Sequence, residues 1–94
     1  MTTYKLIYPE SYNRRARKFF TRHPELIGQY TKILKLLEID PFHPSLRLHA
    51  LSGKLAGLHA VSINLSYRIT LEFMIRAKEI VLVNVGDHDA VYKE

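Results

Sequence analysis

Ninety-four residues are enough for one hydrophobic core and too few for two, so residues 1–94 read as a single domain. Hydrophobic content of 47% beside 24% charged residues excludes a disordered chain, and the absence of cysteine excludes disulfides, thiolate metal sites and thiol nucleophiles. Fourteen Lys and Arg against nine Asp and Glu leave a net charge of +5, which suits a polyanion or an acidic protein partner.

Thr3–Tyr8 is rich in strand formers and ends at Pro9, which predicts a first strand. Ser11 is placed to cap a following helix, and Tyr12, Ala16, Phe19 and Phe20 recur at the spacing of one helical face. Arg14, Arg15, Arg17, Lys18 and Arg22 occupy the other face, as a solvated surface or as a clamp on phosphates. His23-Pro24 breaks this helix, with Pro24 suited to the first position of the next. Leu26, Ile27, Tyr30, Ile33, Leu34 and Leu37 then share one face of a second helix that ends near Asp40-Pro41.

Two prolines within Asp40–Pro44 predict a loop that carries His43, Ser45–Leu51 is ambiguous, and Ser52-Gly53-Lys54 reads as a turn. From Leu58 the hydrophobic period becomes two. Leu58–Ile63 and Tyr67–Phe73 read as strands joined through Asn64-Leu65-Ser66, with His59 on the strand surface. In the second of them Tyr67, Ile69, Leu71 and Phe73 face one way and Arg68, Thr70 and Glu72 the other. Glu79–Gly86 is nearly all apolar and reads as a strand buried on both faces. The expected fold is α+β: an N-terminal strand, a two-helix hairpin, then a three-stranded antiparallel meander, with both helices on one face of a small, mostly antiparallel sheet. No apolar run approaches the roughly 20 residues of a membrane span. The first residues lack a signal-peptide core, so a cytoplasmic location with no membrane partner is expected.

Past Gly86 the chain reads Asp87-His88-Asp89-Ala90-Val91-Tyr92. Polar groups at the end of a rigid strand are either a solvated tail or side chains held for chemistry. No zinc-protease spacing, EF-hand loop or glycine-rich phosphate loop occurs, so neither a metal nor a cofactor is expected.

The element order, with His49-Ala50-Leu51-Ser52-Gly53, Tyr67-Arg68-Ile69 and Gly86-x-His88-x-x-x-Tyr92, resembles the RelE/ParE superfamily of bacterial toxins. Within it the chain looks closest to the YafQ-like ribonuclease branch, over nearly its whole length. The resemblance implies the RelE-like fold, the toxin role in a toxin–antitoxin pair, a cognate antitoxin as partner, and cleavage of mRNA in the ribosomal A site. A non-enzymatic inhibitor of DNA gyrase, as in ParE-like proteins, is the alternative it also allows.

By motif position, His49 and His88 match catalytic histidines of that branch and Tyr92 its C-terminal aromatic. Ser66-Tyr67 falls where the branch carries an acidic and an aromatic residue. Ser62 stands where it has a further histidine and Asn84 where it has an arginine, so phosphate stabilisation passes to Arg68, Arg47 or Lys54. These residue types suit metal-free cleavage by the substrate's own 2′-OH. Histidine exchanges protons near neutrality, Arg and Lys meet the phosphate oxygens, and Tyr stacks on unpaired bases. The expected catalytic set is His49, His88, Tyr92 and Arg68, with Lys54, Arg47 and Tyr67 as RNA contacts.

Overall fold

Proline and periodicity divide the chain as the sequence suggests, with differences at the boundaries. The computed structural model describes residues 3–74 and 76–87. Within them the chain runs β1 (Lys5–Ile7), α1 (Glu10–Arg22), α2 (Ile27–Ile39), β2 (His49–Ala50), β3 (His59–Ser62), β4 (Tyr67–Met74) and β5 (Glu79–Asp87). Single 3₁₀ turns at Pro24–Leu26, Pro44–Leu46 and Gly53–Leu55 punctuate the connections. Ser11 is not the cap of α1. Pro9 holds that position, its carbonyl accepts from the Asn13 amide at 3.0 Å, and Ser11 lies inside the helix. Pro24 opens a 3₁₀ turn that feeds directly into α2, so the break between the helices is confined to His23.

The sheet has the order β1-β5-β4-β3-β2. The meander β3–β4–β5 is antiparallel, while β1 runs parallel to β5 with Leu6 opposite Ile80. The two edges are short, three residues in β1 and two in β2, which limits the unpaired backbone offered to another chain. β2 lies in the stretch whose sequence was ambiguous, because two residues are too few to show a period.

Both helices pack on one face of this sheet, α1 chiefly over β5. Tyr12, Ile33 and Leu37 are buried with Val61, Ile69, Leu71, Ile80, Leu82 and Val85, and Ala16, Phe19, Phe20, Tyr30, Leu34, Tyr67 and Phe73 pack around them. Ile27, at the first residue of α2, is instead 48% exposed and does not join the core. Inside the core the Tyr12 and Tyr30 hydroxyls share a 2.7 Å hydrogen bond. Burial, foremost, raises the pKa of both above the usual tyrosine range.

β5 is not a uniformly buried strand. Thr70 pairs with Asn84 and Leu71 with Leu82, so Val83 is an extra residue opposite the β4 ladder. This bulge inverts the alternation: Ile80 and Leu82 point inward before it and Val85 after it. Without the extra residue Asn84 would face the core and Val85 would leave it. The Val83 carbonyl accepts from Arg15 Nη1 on α1 at 3.0 Å.

Candidate functional site

Pairing register assigns side chains to the two faces of the sheet. On the helix-covered face, Val61, Ile69 and Val85 form one row. On the opposite, outer face, His49, Ala60, Thr70 and Asn84 form a row across β2, β3, β4 and β5, and Ser62, Arg68 and Gly86 form the next. His49 and Arg68 therefore share a face. Two strand spacings and a two-residue offset separate their Cα atoms by about 12 Å.

His49 is exposed, and its Nδ1 lies 3.0 Å from the Arg47 carbonyl. A carbonyl only accepts, so Nδ1 is the donor, and in the neutral ring the lone pair sits on Nε2. Arg47 turns that carbonyl from a left-handed backbone at φ 52° that closes the Pro44–Leu46 turn. His43 has the opposite arrangement: its Nδ1 takes the Ser45 amide at 3.1 Å and, with Nδ1 the acceptor, its proton is on Nε2.

Arg68 is half-buried between the small side chain of Ser62 and Gly86, which has none. Its Nε and the Oγ1 of neighbouring Thr70 are buried with no hydrogen-bond partner among the described residues. Buried polar atoms of this kind are ordinarily satisfied, which makes these two exceptions within the sheet. Lys54 is exposed on the 3₁₀ turn between β2 and β3, a connection in which Gly53 and Gly57 take positive φ. Arg47 lines a cavity of about 330 Å³ together with Gln29, Asn64 and Ser62, the residue paired with Arg68.

Tyr67 does not share the face of Arg68. It points to the helix side, its ring 5.2 Å from Phe19 and 4.8 Å from His23. Adjacent residues of one strand take opposite faces, so these two cannot act on the same side. His59 is not on the strand surface: it faces inward, 5.1 Å from the Phe73 ring, with Nδ1 buried. His88 and Tyr92 lie outside the described residues. His88 follows Asp87, the last residue of β5, directly in sequence. Among the described residues no three His, Asp or Glu side chains gather closely enough to hold a metal, and no helix is long and apolar enough to cross a membrane.

A second basic surface, on the helix side, was visible in the sequence only as the charged face of α1. Arg15, Lys18 and Arg22 line a groove of about 300 Å³ together with Phe19, His23, Tyr67 and the end of β5.

No family model matches the chain, and no curated protein matches it in sequence. Solved structures do match. YafQ from E. coli strain BL21(DE3) superposes with a TM-score of 0.79 at 13% identity, covering 96% of this chain and 99% of that one. The E. coli DinJ–YafQ toxin–antitoxin complex gives 0.76 at 13% identity, over 96% and 98% of the two chains. A YoeB/ParE toxin from Agrobacterium tumefaciens gives 0.72 at 16%, over 89% and 98%. At these identities the likeness establishes the fold, which is the one the sequence resemblance implied.

Proposed function

We propose that this chain is the toxin of a toxin–antitoxin pair and that its outer sheet face cuts RNA, with ribosome-bound mRNA as the substrate. The observation that carries the reading is the shared outer face of His49 and Arg68, which puts an imidazole able to exchange a proton and a guanidinium able to meet a phosphate on one side of the sheet. The shared fold with YafQ and with the YafQ chain bound to DinJ supports the toxin role and an antitoxin partner.

In the proposed reaction His49 Nε2 takes the proton of the substrate's 2′-OH. The 2′ oxygen attacks the adjacent phosphorus while the bond from phosphorus to the 5′ oxygen breaks. His88 gives its proton to that leaving oxygen, so the products are a 2′,3′-cyclic phosphate and a 5′-hydroxyl, and no metal is required. Arg68 stabilises the charge on the non-bridging oxygens, and Tyr92 orients the phosphate or stacks on a base. Lys54 and Arg47 add phosphate contacts along the RNA.

The test is primer extension on cellular mRNA after induction, comparing the chain with its His88→Gln variant. Cuts inside codons that vanish in a folded His88→Gln protein, a loss of about 10²–10⁴-fold, are the expected result. Full cleavage by that variant overturns the mechanism. Toxicity without cut mRNA, together with inhibited supercoiling in a gyrase assay, replaces the nuclease by a gyrase inhibitor. Recovery of a small acidic protein, encoded beside the gene, in a pulldown is expected for the antitoxin.

A further inference from the structure

The groove on the helix side combines two features that a merely solvated helix face does not need. Arg15, Lys18 and Arg22 stand at i, i+3 and i+7 on α1, so they form one stripe along its wall. At their feet Phe19, His23 and Tyr67 form a three-ring cluster, with centroids 4.6 Å apart at 33° for Phe19–His23 and 4.8 Å apart at 51° for His23–Tyr67. Elsewhere on the same helix Arg17 is paired with Glu10 at 3.4 Å, and Arg15 is held by the Val83 carbonyl. Lys18 and Arg22 meet no acidic side chain among the described residues. His23 keeps about a quarter of its side chain open to solvent, 26%, beside Glu25 at 3.5 Å. Asp87 is the one acidic residue among the described residues lining the groove.

A cationic stripe beside an aromatic cluster matches what single-stranded nucleic acid requires: charge for the backbone and a ring for a base to stack on. An acidic polypeptide would need separate residues for the charge and for the rings, whereas a nucleotide brings a phosphate and a π-face in one unit. We propose that this groove is a second RNA site, distinct from the cleavage face, which holds an unpaired nucleotide with its phosphates on Lys18 and Arg22 and its base against His23 and Tyr67. It rests on the reading of the chain as an RNA-directed toxin and extends it. Gly86 and Asp87 rim the groove, and the Gly86 position lies beside Arg68 on the other face, so one RNA strand passing the end of β5 engages both sites.

The test is fluorescence anisotropy of the full chain with a short 2′-O-methyl single-stranded RNA, which binds but cannot be cut, over a series of salt concentrations. The double substitution Lys18→Gln and Arg22→Gln is expected to weaken binding and to lower the slope of log affinity against log salt by about 1.4, two contacts at ~0.7 each. His23→Ala is expected to weaken binding at least about fivefold with the slope unchanged, as loss of stacking does. Circular dichroism checks that each variant is folded. No measurable binding by the unsubstituted chain, or unchanged affinity in folded variants, overturns the site. Competition by poly-glutamate as effective as that by RNA, with no effect of His23→Ala, assigns the groove to an acidic protein segment and overturns it as well. The two readings separate: binding with the expected slope loss but no cut mRNA keeps the groove and removes the nuclease, whereas cut mRNA with an unchanged slope does the reverse.

Discussion

The two faces of the sheet share β3, β4 and β5, the outer one adding His49 from β2, and they differ in what they ask of most residues, although Ala60, Thr70 and Gly86 are buried on the outer face as well. On the inner face Val61, Ile69, Leu71 and Leu82 are fully buried, and their packing holds the helices down. On the outer face His49, Ser62, Arg68 and Asn84 alternate with those same residues along the chain and are exposed or half-buried. A strand sends successive side chains to opposite sides, so core residues lie directly beneath Ser62, Arg68 and Asn84, whereas His49 stands on the exposed edge strand β2. Stability and proposed chemistry are therefore separable by moving a single position along a strand. Substitution on one face should cost folding energy, and on the other, activity.

The sharpest break of this comparison is on the outer face. His49→Ala is expected to lower mRNA cleavage by about 10²–10⁴-fold while leaving the denaturation midpoint nearly unmoved, because the side chain is exposed. A large fall in the midpoint would make His49 a structural residue. On the inner face Ile69→Ala should cost about 2–4 kcal/mol in urea unfolding, from lost burial and a cavity. Leu34→Ala should cost less, since Leu34 is only partly buried.

Tyr12→Phe tests the core's buried polar pair. It removes the 2.7 Å hydrogen bond to Tyr30 and should cost about 1–2 kcal/mol at neutral pH. It also carries a pH signature. Burial raises the pKa of both tyrosines in the folded state, so the folded chain keeps protons that the unfolded chain releases above pH about 10. Their contribution is complete below that pH and declines as pH rises above it. Unfolding measured on both sides of pH 10 should therefore show a shallower alkaline loss for Tyr12→Phe than for the unsubstituted chain. The smallest effect belongs to the bulge anchor: Arg15→Gln breaks an exposed contact to the Val83 carbonyl and should cost less than about 1 kcal/mol in the same assay.

Much of the architecture was legible because it rests on period. The stripe Tyr12, Ala16, Phe19 and Phe20 and the alternation Tyr67, Ile69, Leu71 and Phe73 each name a core face without reference to any other segment, and those residues pack in the core. The helix start was misread because Ser11 is a good cap in isolation, whereas Pro9 already imposes the backbone angles that the entry needs. His59 was misjudged for a related reason. Its alternation with Val61 and Ile63 places it inward, but a polar residue at the start of a strand looks like surface until Phe73 is seen against it.

Sequence alone set which residues are apolar at which spacing, and so the order of the helices and of every strand but β2, the inner face of β4 and the basic face of α1. It also named the residues of the proposed reaction, His49, Arg68 and His88, the last of these outside the described residues. Tertiary structure alone decided how these meet. Ile80-Val81-Leu82-Val83 has no alternation to read, so only pairing against β4 reveals the extra residue at Val83 that turns Asn84 outward. Only the two-residue pairing of β2 with β3 brings His49 onto the face of Arg68, nineteen positions away in sequence. Local pattern is set by neighbours within a few residues, but register is set by hydrogen bonds between segments far apart in the chain, and a candidate site assembled across four strands depends on register.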